Sequence, residues 1–562
     1  MKEQYINLME KALSAYSDEH ILRYFNDVKS NGLTEHGFPR LTANIGILIA
    51  HNRRLDLLPI FIKMMDLCCD QIPLVKAAND FSVREIVCCI SELEAAPGTV
   101  SDTDISRWRN NLASIDPETC YNSYAKSILG KATNWAIFMS VSELFRANAG
   151  LRESAEKFID LHLSHQMKWI DENGMYRDNS REEKHQPIMY DFVSRGLFVL
   201  LIEFGYRGKY FEQIDSYLKK AGMLSLDMQS PNGEMAFGGR SNQFLINEPW
   251  TMIVFEYEAK RYAREGNAAL AAKFKAASSR ALSVTEEWLE KKPIRHIKNR
   301  FSVESKHGCE NYAYFDKYMI TVASNLYAAY LICDDSIPFE EAPDLAPCAA
   351  KTSPYFHKLF MKVGGYGLEF DLDADPHYDA NGLGRLHRAG APSIICLSCP
   401  CPSDPLYTVN IEEPTAYSIC SAIRTEDGWL LGADKKSEYT LAEYGSDSDS
   451  TSATLICRFE NGRSVREHYT VSENGVSITL SGEGEIGLAL PAFCFDGEIE
   501  PEITHTDRTL SISYGGWSCR YTADCDILDI DRIVANRNGH YRAFIATSQN
   551  MLNVKIEITE NK

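Results

Sequence analysis

Residues 336–358, SIPFEEAPDLAPCAAKTSPYFHK, separate two kinds of sequence. Prolines and acids fill the segment without any periodicity, so it reads as a linker. Just before it, KYMITVASNLYAAYLI (317–332) places apolar residues at helical spacing. Beyond it, SVREHYTVS (464–472), GVSITLSG (475–482) and RTLSISYG (508–515) alternate apolar and polar residues, the period of a strand. Turn signals punctuate this second half at Asp427-Gly428, Asn461-Gly462, Asn474-Gly475, Asp496-Gly497 and Asn538-Gly539. The expected organisation is an all-α domain over 1–335, the linker 336–358, and an antiparallel β-sandwich over 359–562.

Helical spacing continues back through the N-terminal half. In TNWAIFMSVSELFRANAG (133–150) the apolar face is Trp135, Phe138, Val141, Leu144 and Phe145, and Gly150 is a C-terminal stop. Similar segments recur at 41–54, 81–96, 151–170, 191–205, 249–263 and 268–289. A chain of 562 residues exceeds one core of usual size. About a dozen helices over this length would make roughly six helical hairpins.

Composition narrows the function. With 58 basic and 78 acidic residues the net charge is −20, and no basic stripe is present, which argues against nucleic acid. No segment reaches the ~20 apolar residues of a membrane span, and the polar N-terminus lacks a secretory h-region. A cytoplasmic protein is therefore expected, with its 16 cysteines as free thiols. The CLSCPC run (396–401) lacks a second ligand pair, so no metal and no cofactor is expected.

Three polar loops between helices carry the chemistry: 171–191, 230–250 and 304–319. Each gathers carboxylates, cations or imidazoles, amides and aromatics, and helix connections of ordinary length lack that density. Acids for proton transfer, a guanidinium for a carboxylate and flat rings for stacking are what a charged sugar requires. The first loop offers Tyr176, Asp178, His185, Tyr190 and Asp191. Asp191 also suits a helix N-terminus. The second offers Arg240 and Asn242 in GGRSNQ, then Glu248 and Trp250 at a helix start. The third offers His307, Glu310 and Tyr312. Asn134 opens another helix, and the β-half contributes DADPHYDANGLGRLHRAGAPS (373–393), with His377, Arg385 and His387. A loop there could close the cleft from above.

The Asn134-Trp135 helix start, Gly239-Arg240-Ser241, and the Asn381-Gly382-Leu383-Gly384-Arg385 stretch resemble those of two-domain carbohydrate-active enzymes. These join an (α/α)6 toroid to an antiparallel β-sandwich, as heparinase II/III-like polysaccharide lyases do. The chain is most similar to glycoside hydrolase family 154, whose characterised activity is β-glucuronidase. The resemblance implies the toroid-plus-sandwich plan and a uronic-acid substrate. No residue role follows from it.

From residue chemistry, the leading expectation is a hydrolase releasing a uronic acid, glucuronic acid foremost, from oligosaccharides or conjugates. Two of Asp178, Asp191, Glu248 and Glu310 would serve as acid and base. Arg240 would clamp the substrate carboxylate, assisted by His185 or Arg385, with Tyr176 or Trp250 stacking on the ring. The alternative is a lyase acting by β-elimination. It would use Tyr190, Tyr312 or Tyr314 with His185 or His307, and Arg240 or Asn242 as neutraliser. A third reading is a non-catalytic glycan-binding protein. The expected partner is a small acidic carbohydrate, with a homo-oligomer possible.

Overall fold

The computed structural model describes residues 1–178, 184–342 and 344–561. Among these residues, six helices pack in sequence order into a closed ring: Gly37–Ala50, Val83–Ala95, Asn134–Asn148, Ile188–Glu203, Asn247–Arg264 and Phe315–Ile332, the last returning against the first. Nearly every residue of Gly37–Ile49 and of Ile188–Ile202 is buried, as helices surrounded on all sides require. A second layer packs outside them: Lys2–Leu13, Leu58–Gln71, Asp102–Ala113, Glu156–Gln166, Phe211–Met228 and Ala268–Glu290. These carry the amphipathic stripe of outer helices. Lys2–Leu13, for instance, buries Tyr5, Ile6, Leu8, Met9, Ala12 and Leu13. Six inner and six outer helices make the (α/α)6 toroid.

The β-domain begins earlier than its period suggests. Cys348–Lys351, placed in the linker by the sequence, is a strand paired antiparallel with Lys358–Val363, Cys348 opposite Lys362. Four residues are too few to show alternation, and only the partner strand makes them β. Tyr366–Asp371 and Gly382–Arg388 complete a four-stranded meander. The remaining strands form an eleven-stranded antiparallel sheet, whose spine is Gly475–Phe495 paired along its length with His540–Glu560. The Asn474-Gly475 and Asp427-Gly428 signals sit at hairpins, with φ of +121° at Gly475 and +128° at Gly428.

The small sheet explains how the domains join. Its residues Leu359, Met361, Leu368, Phe370, Leu383 and Leu386 share one core with Tyr469, Val471, Ile478 and Leu488 of the large sheet, which makes the sandwich. The alternate residues face the toroid, where Phe360 joins the helical core and several others are polar. Lys362 Nζ donates to the Leu226 carbonyl at 2.5 Å, Arg385 Nη1 to the Met235 carbonyl at 2.8 Å, and His387 Nδ1 lies 2.7 Å from Ser230 Oγ. Period two thus fixes an apolar face for the sandwich and a more polar face for the domain interface.

No helix among the described residues is long and apolar enough to cross a membrane. All sixteen cysteines are free.

Candidate active site

Residues at the N-terminal ends of the inner helices touch one another around one mouth of the toroid. His36 packs on Phe81, with ring centroids 4.7 Å apart, and Phe81 packs on Trp135 at 4.5 Å. Asn134 donates its backbone N–H to Asp178 Oδ1 at 2.8 Å, and Arg240 Nη2 donates to Asp178 Oδ2 at 3.1 Å. The Arg240 guanidinium lies 4.6 Å over the Tyr190 ring. Tyr190 OH and Tyr312 OH each lie 3.0 Å from Ser241 Oγ. Several helix N-termini directed at one space favour an anion there.

Asp178 and Arg240 dominate the electrostatics. Asp178 is buried, and burial lifts its pKa to about 6 against the opposing charge of Arg240 and the Asn134 N–H. The Arg240 side chain remains 37% exposed beyond its contacts with Asp178 and the Tyr190 ring. Its loop is built for close approach. Gly238 and Gly239 have φ of +151° and +74°, and a Cβ at Gly239 would stand 2.9 Å from Pro187 Cα. The β-domain loop 373–381 does reach this mouth: Gly239 N–H donates to Asp379 Oδ2 at 2.7 Å. Tyr378, on the same loop, is half-buried.

His185 lies beside this group with φ +56°, its Nε2 3.7 Å from Asp373, whose carboxylate raises the histidine pKa. Its ring lies 5.2 Å from that of His357. Tyr312 is 40% exposed. The first loop also contains residues 179–183, which lie outside the described residues.

The other candidates are buried or engaged by neighbours, each for a physical reason. Asp191 is fully buried in a pair with Arg195 at 2.6 Å, four residues on, and accepts the Tyr176 N–H. Helix Ile188–Glu203 begins three residues before Asp191, so this carboxylate does not cap it. Glu248 is fully buried against Lys298 at 2.6 Å, and Glu310 against Arg537 at 2.8 Å. Each of these three carboxylates is paired with a buried cation, Lys298 being shared by Glu248 and Glu234.

His307 is buried, stacked 3.8 Å from Phe301, and its pKa falls to about 3 through burial. Tyr176 and Trp250 cannot stack on a sugar. Tyr176 is buried with its hydroxyl on Gln166 Oε1 at 2.7 Å, and Trp250 is buried edge-on to Phe138. Asn242 spends its amide on the Ala236 carbonyl. Arg385 and His387 are buried in the interface, and His377 turns to Asp404. Asn134 is buried and serves through its backbone. The mouth therefore gathers Asp178, His185, Tyr190, Arg240 and Tyr312, together with Ser241, Tyr378 and the half-buried Trp135.

A separate cleft of about 980 Å³ lies between Trp288 and Trp517. Its cations are already engaged: Lys291 by Glu287, Arg300 by Asp496, Lys298 by Glu248, and Arg280 by Gln229 and the Ala342 carbonyl. The toroid mouth is preferred as the site because the polar loops 171–191, 230–250 and 304–319 meet there.

No protein-family model and no curated protein matches the chain. Among solved structures it is similar to the heparinase III BT4657 gene product, with TM-score 0.49 and 9% identity over 93% of this chain and 78% of that one. A second heparinase III structure gives TM-score 0.43 and 10% identity, over 86% of this chain and 70% of that one. A glycosyl hydrolase family 88 protein from Bacteroides vulgatus gives TM-score 0.38 and 10% identity, over 59% of this chain and 99% of that one. Likenesses this distant license no reaction.

Proposed function

We propose that the chain is an enzyme acting on glycosides of a uronic acid, and that it hydrolyses them to release glucuronic acid. The observation that supports this most is the Asp178–Arg240 pair at the toroid mouth. Asp178, with a pKa of about 6, can hold a proton near neutral pH beside an arginine that is 37% exposed and can take a carboxylate there. Asp178 gives its proton to the leaving oxygen. Its carboxylate then takes a proton from the water that adds at the anomeric carbon, which restores the starting state. Arg240 holds the substrate carboxylate, and Tyr190, Tyr378 or Trp135 supplies the ring face.

This account uses one carboxyl rather than the usual two, because Asp191, Glu248 and Glu310 are each engaged by a buried cation. Release of the aglycone from a chromogenic β-glucuronide by the wild-type protein, and not by folded Asp178→Asn, tests it. An Asp178→Asn protein with full activity would sink it.

β-Elimination is the second reading, and the Tyr190–Ser241–Tyr312 hydroxyl cluster favours it. A tyrosine there would take the proton from the carbon beside the substrate carboxylate while Arg240 neutralises that carboxylate; the C–O bond at the next carbon breaks, and a tyrosine hydroxyl gives a proton to the leaving oxygen. The product then carries a conjugated double bond that absorbs in the ultraviolet, and hydrolysis makes none.

A further inference from the structure

Ser241 meets Tyr190, Tyr312 and Tyr318 at the mouth, and its backbone is held from both sides. Its φ of +58° lies in the left-handed region that side chains other than glycine rarely adopt. Its N–H donates to Glu310 Oε1 at 2.7 Å, and its carbonyl accepts from Asn247 Nδ2 at 3.1 Å. Glu310 is itself fixed by Arg537, on the turn between strands Asp526–Ala535 and His540–Glu560 of the β-domain. Arg537 Nη2 donates to Glu310 Oε1 at 2.8 Å, and Nη1 donates to Oε2 at 3.1 Å and to the Gly308 carbonyl at 2.6 Å. The guanidinium packs 3.9 Å from the Tyr407 ring. Burial opposes the charge on Arg537, and Glu310 more than restores it, so the arginine pKa stands above its usual value.

We infer that Arg537 is a positioning residue for the toroid mouth: through Glu310 it sets the Ser241 backbone and so aims Ser241 Oγ between Tyr190 and Tyr312. The inference rests on the mouth being the active site. A buried ion pair is weak evidence for stability alone, because desolvation offsets its attraction. A strained residue persists where its surroundings over-determine it, and such residues cluster at functional sites. Here both features meet at one backbone N–H. The forked geometry of Arg537 orients both Glu310 oxygens, and a lysine has no fork to do so. The β-domain thereby acts on the toroid's chemistry without itself touching Ser241 Oγ.

The test uses the full chain. Arg537→Gln alone leaves Glu310 charged, buried and unpaired, and that variant can unfold. The double variant Arg537→Gln with Glu310→Gln removes both charges and keeps a carbonyl oxygen near Ser241. Two readouts are taken: backbone hydrogen exchange of the segment 238–246 by mass spectrometry, and kcat and KM on a chromogenic β-glucuronide. The expected result is a folded double variant whose 238–246 amides exchange about tenfold faster, with kcat about tenfold lower and KM little changed. Arg537→Lys should fail to rescue either readout.

A folded double variant with wild-type exchange in 238–246 would overturn the inference. So would faster exchange with unchanged kcat, which would make the pair structural only. If the wild-type protein turns over no uronide, the proposed reaction fails, and the exchange measurement still decides whether Arg537 positions Ser241.

Discussion

Replacing Arg240 separates its two jobs. In the structure its Nη2 holds Asp178 at 3.1 Å, its guanidinium lies 4.6 Å over the Tyr190 ring, and 37% of its side chain is open. Lysine keeps the charge and loses the fork, so it cannot hold Asp178 and a substrate carboxylate at once. Loss of one charge-assisted hydrogen bond, roughly 1.5–3 kcal/mol, corresponds to about a ten- to hundredfold drop in kcat/KM for Arg240→Lys. The pair is partly exposed, so stability should change by only ~0–1 kcal/mol.

Methionine removes the charge as well. Arg240 is the strongest influence holding the Asp178 pKa down against burial, so Arg240→Met should move that pKa above about 6. The assay is kcat/KM against pH on a chromogenic β-glucuronide, with thermal melts alongside. Wild-type kcat/KM in Arg240→Lys, loss of activity only through unfolding, or an unmoved pH limb in Arg240→Met would each refute the clamp.

Asp178→Asn should lower kcat by about 10²–10⁴. In the wild type, activity should fall as pH rises through about 6, because the working form of Asp178 is protonated; a limb rising there would make it a base. Glu248→Gln takes away the nearer of the two carboxylates on buried Lys298 and leaves Glu234 at 3.4 Å, so it should cost about 1–3 kcal/mol of stability, read as a lower melting temperature. A kcat loss at unchanged melting temperature would return Glu248 to the list of acids. Gly239→Ala should disrupt the Arg240 loop, since its Cβ would stand 2.9 Å from Pro187 at φ +74°, and activity should fall with it.

The change from helices to strands was legible because a helix and a strand impose different periods on their apolar residues. The three loops stood out by their density of polar and aromatic residues, although Tyr176, Asp191, Glu248, Trp250, His307 and Glu310 among them are buried. What the linear chain concealed was which charges neutralise one another. Asp191 and Arg195 stand four apart on one helix, a spacing that announces their pair. Glu248 meets Lys298 across 50 residues and Glu310 meets Arg537 across 227, and no local signal marks either. All three carboxylates therefore read as equal to Asp178 until the fold assigned their partners. Ser241 and Tyr378 lay inside quoted motifs but beside more conspicuous neighbours. Arg537 sits in a turn whose sequence signals only Asn538-Gly539.

The most direct test of the account is to incubate the protein with a chromogenic β-glucuronide and with a uronic-acid oligosaccharide, following released aglycone, free uronic acid and ultraviolet absorbance together. Hydrolysis through Asp178 predicts aglycone and saturated glucuronic acid with no rise in absorbance from a conjugated double bond. A rise in that absorbance would contradict hydrolysis and establish elimination at the same mouth. No turnover of either substrate would contradict the proposed reaction altogether.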